Sequence, residues 1–328
     1  MIVITGGAGF IGSNLVAALS DRGERDLVVC DRLGRGDKWH NLAKHEVAEI
    51  VPPEELMGFL DSRAGSVDGV VHMGAVTSTT ERDVDRIMRD NFGFSLAVWR
   101  WCSAHQVRLI YASSAATYGD GSQGFDDDGS VEALARLQPL NAYGWSKHVF
   151  DRRVVRLVAD RAPRPPQWVG LKFFNVYGPN EYHKEDMRSI VHKAFAEAVR
   201  GNAVTLFKSH DPRYPDGGQM RDFVWVKDCV DVITWLLDNP EVNGLFNLGS
   251  GKARTFADIG SALFRALGKE PRISYVDTPA PLRDQYQYFT EARMDRLRAA
   301  GYDKPFRALE EGVAEYVHDY LSRPDPYA

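Results

Sequence analysis

Cysteine, net charge and long apolar runs are all scarce in this chain of 328 residues. Its three cysteines, Cys30, Cys102 and Cys229, are widely separated and have neither disulfide nor metal-ligand spacing, so we expect no metal site and a reducing, cytoplasmic compartment. The chain has 40 basic residues against 45 acidic ones, which argues against nucleic acid as a partner. No apolar run approaches ~18 residues, so we expect no membrane span.

Short β-branched runs alternate with longer helical patterns through the first 175 residues, which is typical of a parallel sheet covered by helices. Strands are predicted at residues 2–4, 27–30, 47–51, 69–72, 107–112 and 168–175. Helices are predicted at residues 11–22, 54–62, 82–105 and 143–160. The pattern indicates an α/β fold with a doubly wound parallel sheet of the Rossmann type.

After residue 175 the alternation is less regular. Helices are predicted at residues 189–200 and 228–238, strands near 222–226 and 246–249, and Thr255 is a plausible N-cap of a further helix. We therefore expect a second, smaller α/β lobe whose segments interleave with the first.

A glycine-rich turn joins the first strand to the first helix. Gly6, Gly9 and Gly12 permit a tight turn, close approach of a phosphate, and close packing of helix on sheet. Glycine spacing by itself can mark a structural turn only. The flanking strand and helix, and an acid at Asp31 after the second strand, favour a dinucleotide whose pyrophosphate lies at the helix N-terminus.

The residues after the second strand bear on the choice of dinucleotide. Asp31 suits a ribose 2′-hydroxyl and favours NAD, whereas Arg32 and Lys38 could bind a 2′-phosphate and favour NADP. Two cations against one carboxylate favour NADP, with NAD as the second choice. The alternative is that Arg32 and Lys38 are solvated loop charges. We predict an NAD(P)-binding domain at residues 1–175, with a returning segment at about 221–249, and a substrate lobe at about 176–220 and 250–328.

A phenol and an ammonium group lie four residues apart at Tyr143 and Lys147, so they share one helix face. A nearby cation favours the phenolate, which predicts that Lys147 lowers the pKa of Tyr143 and also reaches the nicotinamide ribose. Ser114, at the polar end of a predicted strand, is the candidate for orienting the substrate oxygen. Chance helical spacing of a tyrosine and a lysine is the alternative.

These motifs together resemble the extended short-chain dehydrogenase/reductase superfamily, whose members act on nucleotide sugars. Further segments resemble the ADP-L-glycero-D-manno-heptose 6-epimerase family in particular, and the similarity runs nearly end to end. The segments are residues 31–33, 36–38, 77–81, 111–119, 174–179, 183–184, 220–224 and 298–306.

The resemblance implies inversion at C6″ of ADP-D-glycero-D-manno-heptose by transient oxidation to a ketone and return of the hydride, in lipopolysaccharide inner-core precursor synthesis. It assigns proton transfer in the two substrate orientations to Tyr143 and Lys184. From the residues alone, Lys184 would be interpreted as a solvated helix start. The resemblance also implies a homo-oligomer, often a pentamer.

Other site positions come from the same resemblance. Cofactor-contacting positions are Phe10, Ile11, Gly74, Ala75, Val76, Thr77, Asn91 and Val176. Substrate-contacting positions are Asn175, Asp186, Lys193, Phe207, Lys208, Ser209, Arg221 and Tyr286. His192 is an alternative to Lys193, and Arg221 could instead form a surface ion pair with Asp222. Met73 and Pro53 depart from the family pattern.

Three rival functions differ in specific residues. A nucleotide-sugar 4,6-dehydratase would need an acid pair where this chain has Ala115 and Ala116, which cannot exchange protons. A UDP-sugar 4-epimerase needs the same hydride chemistry, but Lys184 and the 77–81 loop argue against it. A non-catalytic NAD(P)-binding sensor would not require Tyr143, Lys147 and Ser114 together.

Overall fold

The computed structural model describes residues 1–279, 283 and 287–328. Its strands are β1 Ile2–Thr5, β2 Leu27–Cys30, β3 Glu49–Val51, β4 Gly69–His72, β5 Arg108–Ser114, β6 Trp168–Phe173, β7 Asn175–Tyr177, β8 Val204–Phe207, β9 Met220–Trp225, β10 Gly244–Leu248, β11 Ala253–Thr255 and β12 Ile273–Val276. Seven of them form one sheet in the order β10-β6-β5-β4-β1-β2-β3. Every pairing in this sheet is parallel, which confirms the doubly wound α/β prediction.

The helices are α1 Phe10–Asp21, α2 Leu56–Ser62, α3 Val84–Ile87, α4 Phe94–His105, α5 Val131–Ala135, α6 Ala142–Ala159, α7 Ile190–Arg200, α8 Val226–Asp238, α9 Phe256–Ala266, α10 Asp295–Ala299 and α11 Leu309–Glu315. The helix predicted at residues 82–105 is α3 and α4 joined by a π-helical turn, Met88–Gly93. The predicted N-cap at Thr255 is confirmed, because its side chain accepts a hydrogen bond from the backbone N–H of Asp258. Within the described part of the chain, no helix is long and apolar enough to cross a membrane.

Burial explains why the central strands form. All four residues of β2 and of β4 are buried, as expected for parallel strands covered on both faces. One apolar core, which includes Ile4 and Val29, lies against α1 and α8. Another, which includes Val3 and Val28, lies against α4 and α6. Successive residues of one strand thus serve opposite faces of the sheet.

The chain leaves the large sheet after Phe173, so the strand predicted at residues 168–175 is divided between β6 and β7. Strand β7 pairs in parallel with β9, and β9 pairs antiparallel with β11. Strands β8 and β12, which no sequence pattern predicts, form a separate parallel pair. Strand β10 then returns to pair with β6. The second lobe has its own core under α7, α9 and α11.

Candidate active site

The glycine-rich turn occupies the carboxyl end of β1 and opens α1. Gly6 has φ +66°, a left-handed conformation that favours glycine. A Cβ on Gly12 would lie 2.1 Å from the carbonyl oxygen of Gly6, so a side chain cannot replace that hydrogen. Gly9 is the N-cap residue of α1 and supplies no capping side chain. The first-turn N–H groups and the open turn therefore fit a pyrophosphate.

The acid that follows β2 is tied to this turn. Asp31 Oδ2 accepts the backbone N–H of Ala8 at 2.9 Å, and Asp31 Oδ1 lies 2.6 Å from Lys38 Nζ. Arg32 Nε donates to Glu54 Oε1 at 2.8 Å. The two cations predicted to bind a 2′-phosphate are thus each paired with a carboxylate.

The loop after β4 is held next to the glycine turn by Asn91 in the π-helical turn. Val76 N–H donates to Asn91 Oδ1 at 2.7 Å, and Asn91 Nδ2 donates to Val76 O and Ser146 Oγ, both at 3.0 Å. Ala75 and Thr77 flank Val76 in this loop. Gly74 N–H donates to Thr5 Oγ1 at 3.1 Å. Asn91 is a predicted cofactor contact, but its side-chain amide is hydrogen-bonded to Val76 and Ser146, so it positions the loop.

A buried histidine, which no sequence motif indicates, continues this network. Thr5 Oγ1 is 2.6 Å from His72 Nδ1, and His72 Nε2 is 2.8 Å from Ser95 Oγ. Burial, together with the charge of Lys147, lowers the pKa of His72 to about 3. The neutral ring can accept from Thr5 and donate to Ser95, so it links β1 to α4 without a charge.

The catalytic candidates meet where α6 approaches the turn after β5. Asn141 Oδ1 accepts the N–H of Gly144 at 2.8 Å and caps the helix. A Cβ on Gly144 would lie 2.7 Å from Ala116 O, so glycine permits this approach. This approach places the Tyr143 phenol near enough to Ser114 for the serine side chain to act on the pKa of the phenol.

Burial acts on both members of the Tyr-Lys pair. It raises the pKa of the Tyr143 phenol, against which the Ser114 hydrogen bond acts. Burial also lowers the pKa of Lys147 to about 8, with the Asp151 charge acting in the opposite direction. Lys147 Nζ donates to Ala112 O at 2.8 Å. The prediction of a lowered phenol pKa is wrong for this structure, because removal from water disfavours the charged form of each group.

Lys184 is distant from α1 in the sequence, but its side chain lies at the start of that helix. It belongs to the 3-10 helix Tyr182–Met187, and its Nζ is 5.1 Å from the ring centroid of Phe10. Burial lowers the pKa of Lys184, and the charge of Glu181 acts in the opposite direction. Lys184 is half-buried, which disfavours the alternative interpretation of a fully solvated helix start.

Amide side chains anchor the Lys184 segment to the glycine turn. Asn41 Nδ2 donates to Ala8 O at 2.9 Å and to Asn180 O at 3.1 Å, and it lies 3.2 Å from His183 Nδ1. Asn180 Nδ2 donates to Ser13 Oγ at 2.9 Å. Sequence reasoning missed both asparagines, because a single amide side chain carries no motif.

The residues predicted to contact substrate lie on several elements of the second lobe. Asn175 begins β7, next to the predicted cofactor contact Val176, and Arg221 on β9 is buried, with its guanidinium 5.7 Å from the ring centroid of Phe256. The carboxylate of Asp222 accepts the N–H groups of Gly251 and Ala292 and hydrogen bonds from Ser250. Arg221 also donates to the carbonyl of Met220 at 2.8 Å.

The remaining substrate candidates make contacts within the second lobe. Lys208 Nζ pairs with Asp277 at 3.2 Å, and Ser209 Oγ donates to Asp211 O at 2.8 Å. Lys193 Nζ donates to Asp186 O at 3.1 Å, and the side chain of Phe207 is 36% exposed. Tyr286 lies outside the described residues.

Together the sheet, the glycine turn and the Ser-Tyr-Lys group define a dinucleotide-binding enzyme. A family model described as the NAD dependent epimerase/dehydratase family matches residues 2–249, and the chain belongs to that family. It is 51% identical to the ADP-L-glycero-D-manno-heptose-6-epimerase of Nitratidesulfovibrio vulgaris (strain DP4), over 100% of both chains. The protein of that name from Fusobacterium nucleatum is 44% identical, also over 100% of both. Within the family, the chain therefore belongs with these 6-epimerases.

Solved structures show the same fold. The ADP-L-glycero-D-manno-heptose-6-epimerase of Helicobacter pylori superposes with a TM-score of 0.81 at 27% identity, covering 98% of this chain and 96% of that one. The UDP-glucose 4-epimerase of Thermus thermophilus, solved with NAD, gives a TM-score of 0.73 at 25% identity, covering 95% of this chain and 96% of that one. The resemblance stated from the sequence is confirmed.

Proposed function

We propose that the chain inverts C6″ of ADP-D-glycero-D-manno-heptose to give ADP-L-glycero-D-manno-heptose, a step towards the inner core of lipopolysaccharide. The observation that carries the proposal is the close approach of α6, which bears Tyr143 and Lys147, to the turn after Ser114, in a chain 51% identical over its full length to a protein named for this activity. The oxidation state of the substrate is unchanged overall.

The glycine turn, Asp31 and the loop after β4 would hold the dinucleotide. The dinucleotide supplies the hydride acceptor and donor. Lys147 would bind the nicotinamide ribose, since its ammonium is buried and lies beside the carboxyl end of β5. Phe10, Ile11 and Val176 would add contacts to the cofactor.

Tyr143 and Lys184 would move the proton in the two orientations of the C6″ group. They lie on different elements, α6 and the 3-10 helix at residues 182–187, so each can serve a different face. The lowered pKa of Lys184 makes loss of its proton easier. Burial raises the pKa of Tyr143, and the hydrogen bond from Ser114 acts against that rise. Ser114 would orient the reacting oxygen.

NADP is the proposed cofactor, with NAD as the second choice. Arg32 and Glu54 have side chains that are 57% and 59% exposed, and such a pair is worth only ~0–1 kcal/mol. A 2′-phosphate can therefore compete with Glu54 for the guanidinium, whereas the Lys38–Asp31 pair, with side chains 21% and 9% exposed, is displaced less easily. Extracting the dinucleotide from denatured protein and identifying it by chromatography tests the assignment; NAD alone would contradict it.

The substrate assignment is tested by turnover. Purified protein is incubated with ADP-D-glycero-D-manno-heptose, and NMR follows the configuration at C6″, with UDP-glucose in a parallel reaction. We expect inversion of the heptose only. Turnover of UDP-glucose alone would indicate a 4-epimerase, and turnover of neither would indicate a non-catalytic sensor. Ala115 and Ala116 already argue against a dehydratase.

Three broader assignments rest on the sequence and the resemblance. We propose a homo-oligomer, with a pentamer as the expected size, which light scattering after size exclusion would test. We propose a cytoplasmic location, supported by three buried free cysteines. We also propose the division into a dinucleotide-binding domain and a substrate lobe, supported by the separate cores of the two parts.

A further inference from the structure

A fully buried ion pair connects α6 to the strands that carry the site. Asp151 on α6 and Lys172 on β6 have side chains that are 0% exposed, and Lys172 Nζ is 3.0 Å from Asp151 Oδ2. Moving two charges out of water often costs more free energy than their mutual attraction returns. Stability alone is therefore a poor explanation of the pair, and its hydrogen bonds indicate another role.

The Asp151 carboxylate joins α6 to β5. The hydroxyl of Ser113 donates to Oδ2 at 2.6 Å, and the hydroxyl of Tyr111 donates to Oδ1 at 3.2 Å. Strand β5 ends at Ser114, whereas α6 carries Tyr143. Asp151 therefore holds together the two elements whose side chains meet in the site.

Lys172 extends the connection to the turn after β5. Its ammonium donates to Thr117 Oγ1 at 2.7 Å, and the Thr117 hydroxyl donates to the carbonyl of Ser114 at 2.8 Å. The ammonium also lies 4.9 Å from the ring centroid of Tyr118. The ion pair is thus hydrogen-bonded to Ser113, which precedes Ser114, and to Thr117, which follows it.

The same carboxylate lies one helical turn after Lys147. Burial lowers the pKa of Lys147 to about 8, and the Asp151 charge acts in the opposite direction. Further titratable or charged side chains face this pair or Lys172 from the surrounding elements. They are His72 on β4, Tyr111 on β5, Tyr118 after β5 and His148 on α6, with Arg152 beside His148.

We propose that Asp151 is a positioning residue for the proposed epimerase: it aligns α6 with β5 and supplies the negative charge that keeps buried Lys147 an ammonium ion. Lys172 pairs with the same Asp151 carboxylate, and its hydrogen bond to Thr117 orders the turn after Ser114. Asp151 acts through Lys147 and Tyr143. The inference rests on the proposed function, because it takes Lys147 as the group that binds the nicotinamide ribose.

The variant Asp151→Asn removes the charge and keeps the size of the side chain. Without the carboxylate, Lys147 loses its proton at lower pH and NADP binding weakens from that pH upward. We expect the alkaline fall in NADP affinity to begin roughly 1 pH unit lower than in the unaltered protein, with similar affinity at acid pH. Calorimetric titration with NADP across this pH range measures the shift. An unchanged pH dependence overturns the proposal.

The double variant Asp151→Asn/Lys172→Met separates charge from packing. In Asp151→Asn the ammonium of Lys172 is buried without a carboxylate partner, which is destabilising. Lys172→Met removes that charge, so the free energy of unfolding, measured by chemical denaturation, should be larger in the double variant than in Asp151→Asn alone. The early alkaline fall in NADP affinity should remain, because Lys147 still lacks its carboxylate. Return of both stability and the pH dependence to those of the unaltered protein would mean that the pair is only structural, and would overturn the proposal.

Asp228→Asn is the matched control, since Asp228 is a buried carboxylate of α8 that forms an ion pair with Arg307 away from the site. It should lower stability and leave the pH dependence of NADP affinity unchanged. A shift equal to that of Asp151→Asn would overturn the assignment to Lys147. No sugar is used in these titrations, so failure to invert the heptose would refute the proposed function separately.

Discussion

The two halves of the site differ in how their polar groups are held. On the sheet side, Asn91, His72 and Asp151 are buried, and their hydrogen bonds reach neighbouring elements of the large sheet and its helices. In the second lobe Asp222 is also buried and hydrogen-bonded, but Lys208 pairs with Asp277 at an exposed position, and Arg213 pairs with nearby Asp211. Buried, satisfied networks are rigid, whereas exposed pairs contribute little.

This difference suggests a division of labour between the two halves. The sheet side can present a fixed surface to the dinucleotide, because each buried polar group is held by several partners. The second lobe can exchange its exposed pairs for substrate groups at low cost. Lys184 is intermediate, since its segment is anchored to the glycine turn through Asn41 and Asn180.

The largest effect should come from the sheet side. In Tyr143→Phe only the phenolic oxygen is lost from a packed ring, so the fold and the bound dinucleotide should persist while epimerisation falls by ~10²–10⁴-fold. Turnover measured by NMR at C6″, with cofactor content measured in parallel, checks this. Tyr275→Phe, at an exposed ring of β12, is the control. Near-normal turnover in Tyr143→Phe would refute its assignment.

Lys184→Met tests whether the second half also supplies a proton-transferring group. We expect a loss of roughly 10²-fold in turnover with near-normal cofactor content, because only one substrate orientation loses its base. A substrate analogue with a C6″ aldehyde, able to disproportionate, needs both orientations, so Lys184→Met and Tyr143→Phe should each lose that reaction strongly. Lys44→Met is a control for removal of an exposed lysine on the same side of the molecule.

The comparison between the two halves of the site would change if Lys184→Met disproportionated the aldehyde analogue as fast as the unaltered protein. Lys184 would then be only a charge near the glycine turn, and Tyr143 would serve both faces of the substrate. The sheet side would in that case hold all of the proton-transfer chemistry.

Lys147→Met should fail in two ways. Loss of a charge-assisted hydrogen bond to the ribose should weaken dinucleotide binding by roughly 10–100-fold. Turnover should also fall at saturating cofactor, because the phenolate loses its cation. Titration with NADP and turnover at saturation separate these effects. An unaltered affinity would remove the ribose contact from the proposal.

The smallest effect should come from the cations after β2, exposed Arg32 and half-buried Lys38. Replacing both by alanine should weaken NADP about tenfold relative to NAD, because an exposed charge such as Arg32 contributes at most ~1 kcal/mol and Lys38 is already paired with Asp31. Dissociation constants for both dinucleotides, measured at two salt concentrations, provide the comparison. Equal losses for NADP and NAD would indicate general electrostatics in place of 2′-phosphate recognition.

Much of the sheet side could be predicted because its signals are local. The strand, glycine turn and helix at residues 2–21 are contiguous, and Tyr143 and Lys147 share a helix face by spacing alone. The second lobe was harder to predict. Strands β8 and β12 are short and pair across a long stretch of sequence, so neither shows a pattern of its own.

Sequence alone determined the parallel sheet, the glycine turn at residues 6–12 and the Ser-Tyr-Lys candidates, because periodicity and spacing operate within a few turns of chain. Tertiary structure decided which distant groups share a buried environment. It placed Lys184 over Phe10, paired Asp151 with Lys172, and reversed the expected direction of the Tyr143 pKa. Each of these depends on removal from water, which packing between distant segments controls.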